Sequence, residues 1–248
     1  MIPLQDVNAK TSDVREEICM KLVEKLNEYP DISSAELVAS YAYAMQMKFF
    51  SYLIAVTPSE NSIFKQENAQ YSEWTENLNI VLADKEAPLV ESFAKAKYYL
   101  DQLFFDITER GVLEYTYHKE ALITSRQLQE HLGVSRSTIS RYVDCGMEKV
   151  PVPSQHCYPL HNVFYWSDGI WASKIQELYQ YYKLRNQTKT DLIKEIKDEI
   201  KRFEEKYEGT FEDVFKDVTD PYELDEPDDY FDWRDALEEL RKLDESTM

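Results

Sequence analysis

Residues 123–166 read ITSRQLQEHLGVSRSTISRYVDCGMEKVPVPSQHCYPLHNVFYW, and the rest of the fold follows from how that run is parsed. Thr124 or Ser125 can cap a short helix, and Leu128 and Leu132 give that helix a single apolar face. Gly133 has no side chain to clash at positive φ, so it suits a tight turn between two helices. Val134 fills the corner. Ser135 stands where it can cap a second helix, whose Ile139, Tyr142 and Val143 face back onto the first. Arg136, Ser137, Thr138, Ser140 and Arg141 are left on the outside. Gly146 stops the second helix, and Pro151 and Pro153 forbid a third immediately. An apolar pattern then resumes with Tyr158, Leu160, Val163 and Trp166.

The result is a helix-turn-helix followed by a proline-containing stretch that is not a helix. The outer residues of its second helix are types that bond phosphate oxygens and base edges, and a helix fits the DNA major groove, which is about 12 Å wide. The run GVSRSTISRY, then a glycine, a hairpin and a YPLxxVxxW segment resembles the winged members of the helix-turn-helix group. These include excisionases, MerR-type regulators and the lambda-type phage terminase small subunit. The resemblance covers 44 of 248 residues. It departs at Gln129, where such motifs commonly carry a small alanine against the partner helix. It implies double-stranded DNA as partner, with Ser135, Arg136, Ser137, Thr138, Ser140 and Arg141 at the major groove. Lys149 and Gln155, in the wing, would meet the backbone or minor groove. A solvated outer face on a purely structural helix pair would show the same residue types, so a scaffold reading stands beside the DNA-reading one.

The formal charge of −19 opposes a polyanionic partner only if it is spread evenly, and it is not. Residues 1–120 hold 11 Lys and Arg against 20 Asp and Glu, and residues 208–248 hold 4 against 16. Residues 121–166 (4 against 3) and 167–207 (9 against 8) are the segments without an acidic excess. Phosphate contact is local, so the motif can bind while acidic parts point away. The small positive balance predicts modest affinity per module and hence more than one copy. With 5 glycines the chain is a poor candidate for turn-rich β architecture, and 18 tyrosines mark a folded protein. No apolar run reaches the roughly 18 residues that span a bilayer, and no signal peptide is evident, which predicts a cytoplasmic protein. Cys19, Cys145 and Cys157 make no even disulfide framework, in keeping with a reducing compartment.

Along the chain, Val14, Ile18, Leu22, Val23 and Leu26 recur at helical spacing over residues 12–29. A capped apolar segment from Ser33 or Ser34 through Val56 reads as a buried helix. Residues 67–83 and 88–109 give two further helices, and residues 111–117 alternate in the manner of a short strand that could pair with the wing. After the wing, Ser167 and Asp168 can cap a long helix with a stripe of Trp171, Ile175, Leu178, Tyr179 and Tyr182. Residues 186–190 are polar enough to bend or interrupt it. Leu192, Ile196, Ile200, Phe203 and Tyr207 then continue at steps of 4, 4, 3 and 4. That narrow seam fits a partner helix, either within the chain or in a second copy joining two recognition helices. In 208–248 Asp220-Pro221, Glu226-Pro227 and the surrounding carboxylates resist regular structure, yet the segment carries Phe211, Phe215, Tyr222, Tyr230, Phe231 and Trp233 and closes on a helix-like DWRDALEELRKL (232–243). Docking on another protein, intramolecular imitation of phosphate, and packing onto the chain's own domain all remain open for it.

The expected fold class is mainly α, in four parts: a helical packing or oligomerisation domain (1–120), a winged helix-turn-helix (121–166), a long amphipathic helix or helix pair (167–207) and an acidic aromatic-containing tail (208–248). No Gly-rich phosphate loop or catalytic constellation is present, so neither enzyme activity nor a cofactor is expected. Cys145, His156, Cys157 and His161 lie within 17 residues, but adjacent His156 and Cys157 lack the gap that zinc ligands use, and no metal is expected. The functional expectation is a sequence-specific DNA-binding protein, a homo-oligomeric regulator of a phage or other mobile element. The alternatives are a terminase-small-subunit-like packaging factor and an acidic protein-interaction or DNA-mimic inhibitor.

Overall fold

The structure, a computed structural model, describes residues 14–15, 17–26, 32–65, 72–152 and 155–245. It is mainly helical, and the chain divides into two compact units, Met1–Asn186 and Gln187–Met248. The boundary falls at the polar residues 186–190, within the segment 167–207 read as a long helix or helix pair.

In the first unit, helix α1 covers residues 14–15 and 17–26, and α2 runs Ser34–Lys48. Ser33 and Glu36 close a capping box at the start of α2, each side chain bonding the other's backbone N–H, at 3.3 and 3.2 Å. The helix does not continue to Val56 as its apolar sequence predicts. It stops at Phe49, and strand β1 (Leu53–Pro58) follows. Strand β2 (Ile63–Phe64), α3 (Ser72–Ala83) and α4 (Leu89–Ile107) come next, then β3 (Thr108–Arg110) and β4 (Leu113–Tyr117). β4 does not pair with the wing. It pairs antiparallel with β1, setting Val56 opposite Tyr115 and Leu53 opposite Tyr117, while β2 pairs with β3. Lys48 satisfies the open end of α3 by donating to the carbonyls of Val81, Leu82 and Asp84 at 2.6, 3.1 and 2.6 Å.

Strand β5 (Leu122–Thr124) leads into α5 (Ser125–Leu132) and α6 (Arg136–Asp144), then β6 (Val150–Val152), β7 (Gln155–Pro159), α7 (His161–Ser167) and α8 (Gly169–Asn186). The sheet order β5-β7-β6 places β7 in the centre, with Ile123 opposite Tyr158 and Pro151 opposite His156. Pro151 is tolerated because β6 is an edge strand among the described residues. Asp168 caps α8 by accepting from the N–H groups of Ile170 and Trp171, at 2.8 and 3.1 Å. At its other end Arg185 donates to the carbonyls of Phe105, Thr108 and Gly111, at 2.7, 3.0 and 2.9 Å.

Two apolar cores fill this unit, and α4 belongs to both. Phe93, Leu100, Leu103 and Phe104 pack with Met45, Phe49 and Leu53. Ala94 and Tyr98 pack instead with Leu128, Ile139, Met147, Tyr158 and Trp166 of the helix-turn-helix and wing.

The second unit has its own core. Helix α9 (Lys189–Tyr207) starts at a Thr188–Asp191 capping box, and α10 (Phe211–Phe215) and α11 (Pro227–Glu245) follow. Residues 208–245 are therefore largely helical: α11 contains the helix-like 232–243 and begins at Pro227, and α10 precedes it, which corrects the expectation that the carboxylates around the two prolines resist regular structure. Trp233 is fully buried, stacked near Phe203 and Tyr207 at ring distances of 5.5 and 5.8 Å. Phe211, Phe215 and Tyr230 pack around it, with Ile196 and Ile200 from α9. The α9 seam, on which the expectation of a second copy partly rested, is filled from within the chain.

Candidate nucleic-acid interface

Local hydrogen bonding builds the helix-turn-helix. At the start of α5, Gln127 N–H reaches Thr124 Oγ1 at 3.3 Å and Thr124 N–H reaches Gln127 Oε1 at 2.9 Å. Gly133 ends the helix at φ 66°, and its N–H and that of Val134 both return to the Gln129 carbonyl, at 2.9 and 3.3 Å. The Gln129 side chain folds back onto Ser125, so it stays on its own helix where motifs of this type often carry alanine. Ser135 caps α6 through Thr138 N–H at 3.2 Å. Ile139 is buried against Leu128, and Tyr142 stacks on Trp166 at 4.4 Å, fixing α6 to α7.

That packing fixes which side chains remain outside. Arg136, Ser137, Ser140 and Arg141 are exposed and Thr138 is half-buried. The hydroxyls of Ser135, Ser137 and Thr138 are linked at 2.8 and 3.0 Å, and Arg141 Nη2 lies 3.4 Å from Thr138 Oγ1. Arg136, Ser140 and Lys149 line one groove of about 520 Å³ between α6, the start of α5 and the wing. Gln155 is the first residue of β7, paired with Val152, and its side chain lies outside the described set.

Arg126 and His156 also line this groove, with Asp144 as its one carboxylate. The sequence names neither as a DNA contact, and weighs His156 only as a zinc ligand. Arg126 follows the α5 cap by two positions, which puts it on the exposed side of the first turn. His156 alternates with the buried Cys157 on β7, and strand period alone gives its outward direction. Arg126 pairs with Glu130 at 3.0 Å on an exposed helix face, a contact of little strength. Among the described residues Arg136, Arg141 and Lys149 form no ion pair. The groove thus offers uncommitted cations, hydroxyl donors and two helix N-termini, a set suited to an extended phosphate-bearing ligand.

Behind the wing lies a buried polar network that the sequence did not disclose. Lys97 of α4 meets Asp101 at 2.8 Å and Glu148 at 3.6 Å. Tyr117 donates to Glu148 and Tyr115 to Asp101, both at 2.7 Å. The Tyr52 hydroxyl accepts the His161 backbone N–H at 2.8 Å, so its own proton is directed to His161 Nδ1 at 3.3 Å. That assigns the imidazole proton to Nε2, which lies 3.2 Å from Glu148. Burial lowers the His161 pKa against the pull of Glu148, keeping the ring neutral. Burial would raise Glu148, but Lys97, His161 and Tyr117 outweigh it and hold the carboxyl at about 2. Burial likewise works against the Lys97 charge, and Asp101 and Glu148 reverse that, leaving its pKa raised.

The suspected thiol–imidazole set is not assembled. His161 belongs to this network, and Cys157 is buried on β7 between Thr124 and Val150. Among the described residues no three His, Cys, Asp or Glu side chains are grouped to hold a metal. No described helix is long and apolar enough to cross a membrane. The chain matches no family model, no curated protein and no solved structure.

Proposed function

We propose that this chain is a sequence-reading double-stranded DNA-binding protein of the winged helix-turn-helix type, acting as a regulator of a phage or other mobile element. One observation carries the reading. The face shared by α6, the start of α5 and the wing holds Arg136 and Lys149, which form no ion pair among the described residues, in a chain whose charge is −19. Arg136, Ser137, Ser140 and Arg141 approach base edges and phosphates in the major groove, and Lys149 meets the flanking backbone. Arg126 and His156 add phosphate contacts from the opposite wall.

The test is selection of duplex fragments from a genomic pool by the full chain, with Arg136→Ala/Arg141→Ala alongside. Enrichment of one site, lost in the variant, is expected. Failure to enrich any site would overturn the reading. A selected site at a promoter assigns regulation, and one beside packaging genes assigns a terminase-like role.

A second reading rests on the second unit, which has its own core and carries 10 Lys and Arg against 22 Asp and Glu. A folded acidic module is a docking or DNA-imitating element, and in that case the double-arginine variant keeps full partner binding.

A further inference from the structure

A separate cavity lies between α1, the end of α2 and the turn that joins α3 to α4. At about 230 Å³ it is smaller than the roughly 300–1,000 Å³ of drug-sized sites, so its occupant is small. Phe49 and Leu82 form a buried apolar floor, and Met20 and Leu89 an apolar rim. The charged side chains on its lining are Lys48, Lys85 and Asp84. Asp84 is turned to the backbone, where its Oδ1 accepts from the N–H groups of Glu86 and Ala87 at 2.9 and 3.2 Å. Those bonds hold its carboxyl below the usual range and keep it ionised. Two ammonium groups against one carboxylate leave the lining positive.

The start of α4 adds to that charge. This helix of 19 residues opens on Pro88, whose side chain makes no capping hydrogen bond. The acid of the first turn, Glu91, pairs with Lys95 at 2.6 Å. Ala87 and Leu89, on either side of Pro88, both line the cavity, so the uncapped turn and the positive end of the helix dipole border it. Ser92, from the same turn, lines it too. Ser92 is 2% exposed, and its Oγ has no hydrogen-bond partner. A buried hydroxyl is normally bonded, and the cavity it borders is where an acceptor from outside the chain can sit. We propose that this cavity binds a small organic carboxylate. Its oxygens accept from the Ser92 hydroxyl and the first-turn N–H groups of α4, and its apolar body lies on Phe49, Leu82 and Met20. Lys85 and Lys48 supply counter-charge, Lys48 without a hydrogen bond because it already donates to three carbonyls. Ala94 and Tyr98 of the same helix pack against the helix-turn-helix, so the occupant bears on the element that supports it. The proposal does not depend on DNA binding.

The test is calorimetric titration of the full chain with hexanoate, with hexanol, which lacks the charge, and with acetate and inorganic phosphate, which lack the apolar body. Hexanoate is expected to bind at millimolar concentration or below, about tenfold tighter than any of the other three. Ser92→Ala is expected to weaken hexanoate several-fold and leave hexanol unchanged, without lowering the Tm of the unliganded chain, because no internal hydrogen bond is lost. Lys85→Gln, at an exposed residue, is expected to weaken hexanoate and not hexanol, and it decides the matter should Ser92→Ala not fold. Absence of hexanoate binding at millimolar concentration, equal binding of hexanol, acetate or phosphate, or unchanged hexanoate affinity in both variants would each overturn the proposal. So would a lowered Tm in unliganded Ser92→Ala, which would give the hydroxyl a partner within the chain.

Discussion

Replacing Arg136 and Arg141 together with alanine removes both cations that α6 presents to solvent. Both are exposed and neither forms an ion pair among the described residues, so the folded chain loses little. Binding should change in two separable ways. Each phosphate neutralised contributes about −0.9 to the slope of log K against log salt. Arg136, Arg141 and Lys149 together predict a slope near −2.7, rising to about −3.6 if Arg126 leaves Glu130 for DNA. The variant keeps Lys149 and Arg126, so its slope should fall to between about −0.9 and −1.8. Any arginine that reads a base edge adds a loss of about 1–3 kcal/mol, specific to the selected site. Fluorescence anisotropy on the selected duplex and on a scrambled one, between about 50 and 200 mM salt, separates these effects. An unchanged slope would refute the assignment of these arginines to phosphate. An equal loss on both duplexes would refute their role in reading sequence.

The buried network predicts how stability follows pH. His161 has a lowered pKa in the fold, so its contribution is present above the ordinary value near 6.5 and is lost as pH falls below it. Glu148, held at about 2 against an ordinary 4.5, contributes above 4.5 and loses that contribution as pH falls toward 2, while the raised Asp101 acts in the opposite sense above 3.8. Tm measured against pH should therefore fall in two steps, and His161→Gln should flatten the upper one. An upper step of equal size in the variant would count against this account. Trp233→Ala should cost about 3–5 kcal/mol and unfold the second unit, seen as rapid proteolysis beyond Asn186 with the first unit still protected. Survival of both units under the same digestion would contradict it. Gly133→Ala should cost about 1–2 kcal/mol for its left-handed backbone alone. Gly146→Ala should cost more, because its added Cβ would lie 2.6 Å from Tyr179 at φ 106°, and comparable Tm losses for the two would be the wrong outcome.

The helix-turn-helix was legible because its signals are local. Thr124, Gly133 and Ser135 each act within four residues of themselves, and each is found where its hydrogen-bonding capacity directs it. The region from Ser34 to Val56 was misread past Lys48 because a strongly apolar run such as FFSYLIAV (49–56) has too few polar residues to betray its period. Residues 53–56, two of them β-branched, become a strand only because Leu113–Tyr117 is available to pair with them. That pairing spans more than fifty residues and leaves no mark in either segment alone. In the basic groove Arg136, Ser140 and Lys149 were named, whereas Arg126 and His156 needed the third dimension to join them. The Lys97–Glu148–His161 network was invisible for the same reason, since its members come from three separate elements.

Helix α4 sets one face into the core of the helical layer and another into that of the helix-turn-helix. A segment cut at residues 121–166 would leave Leu128, Ile139 and Tyr158 without Ala94 and Tyr98 to close over them. The portable piece of this protein is thus not the 44-residue motif but the whole of the first unit. Transferring whatever α6 recognises to another scaffold means exchanging side chains on α6 in place, because the motif cannot be lifted out without Ala94, Tyr98 and Leu178, which complete its core.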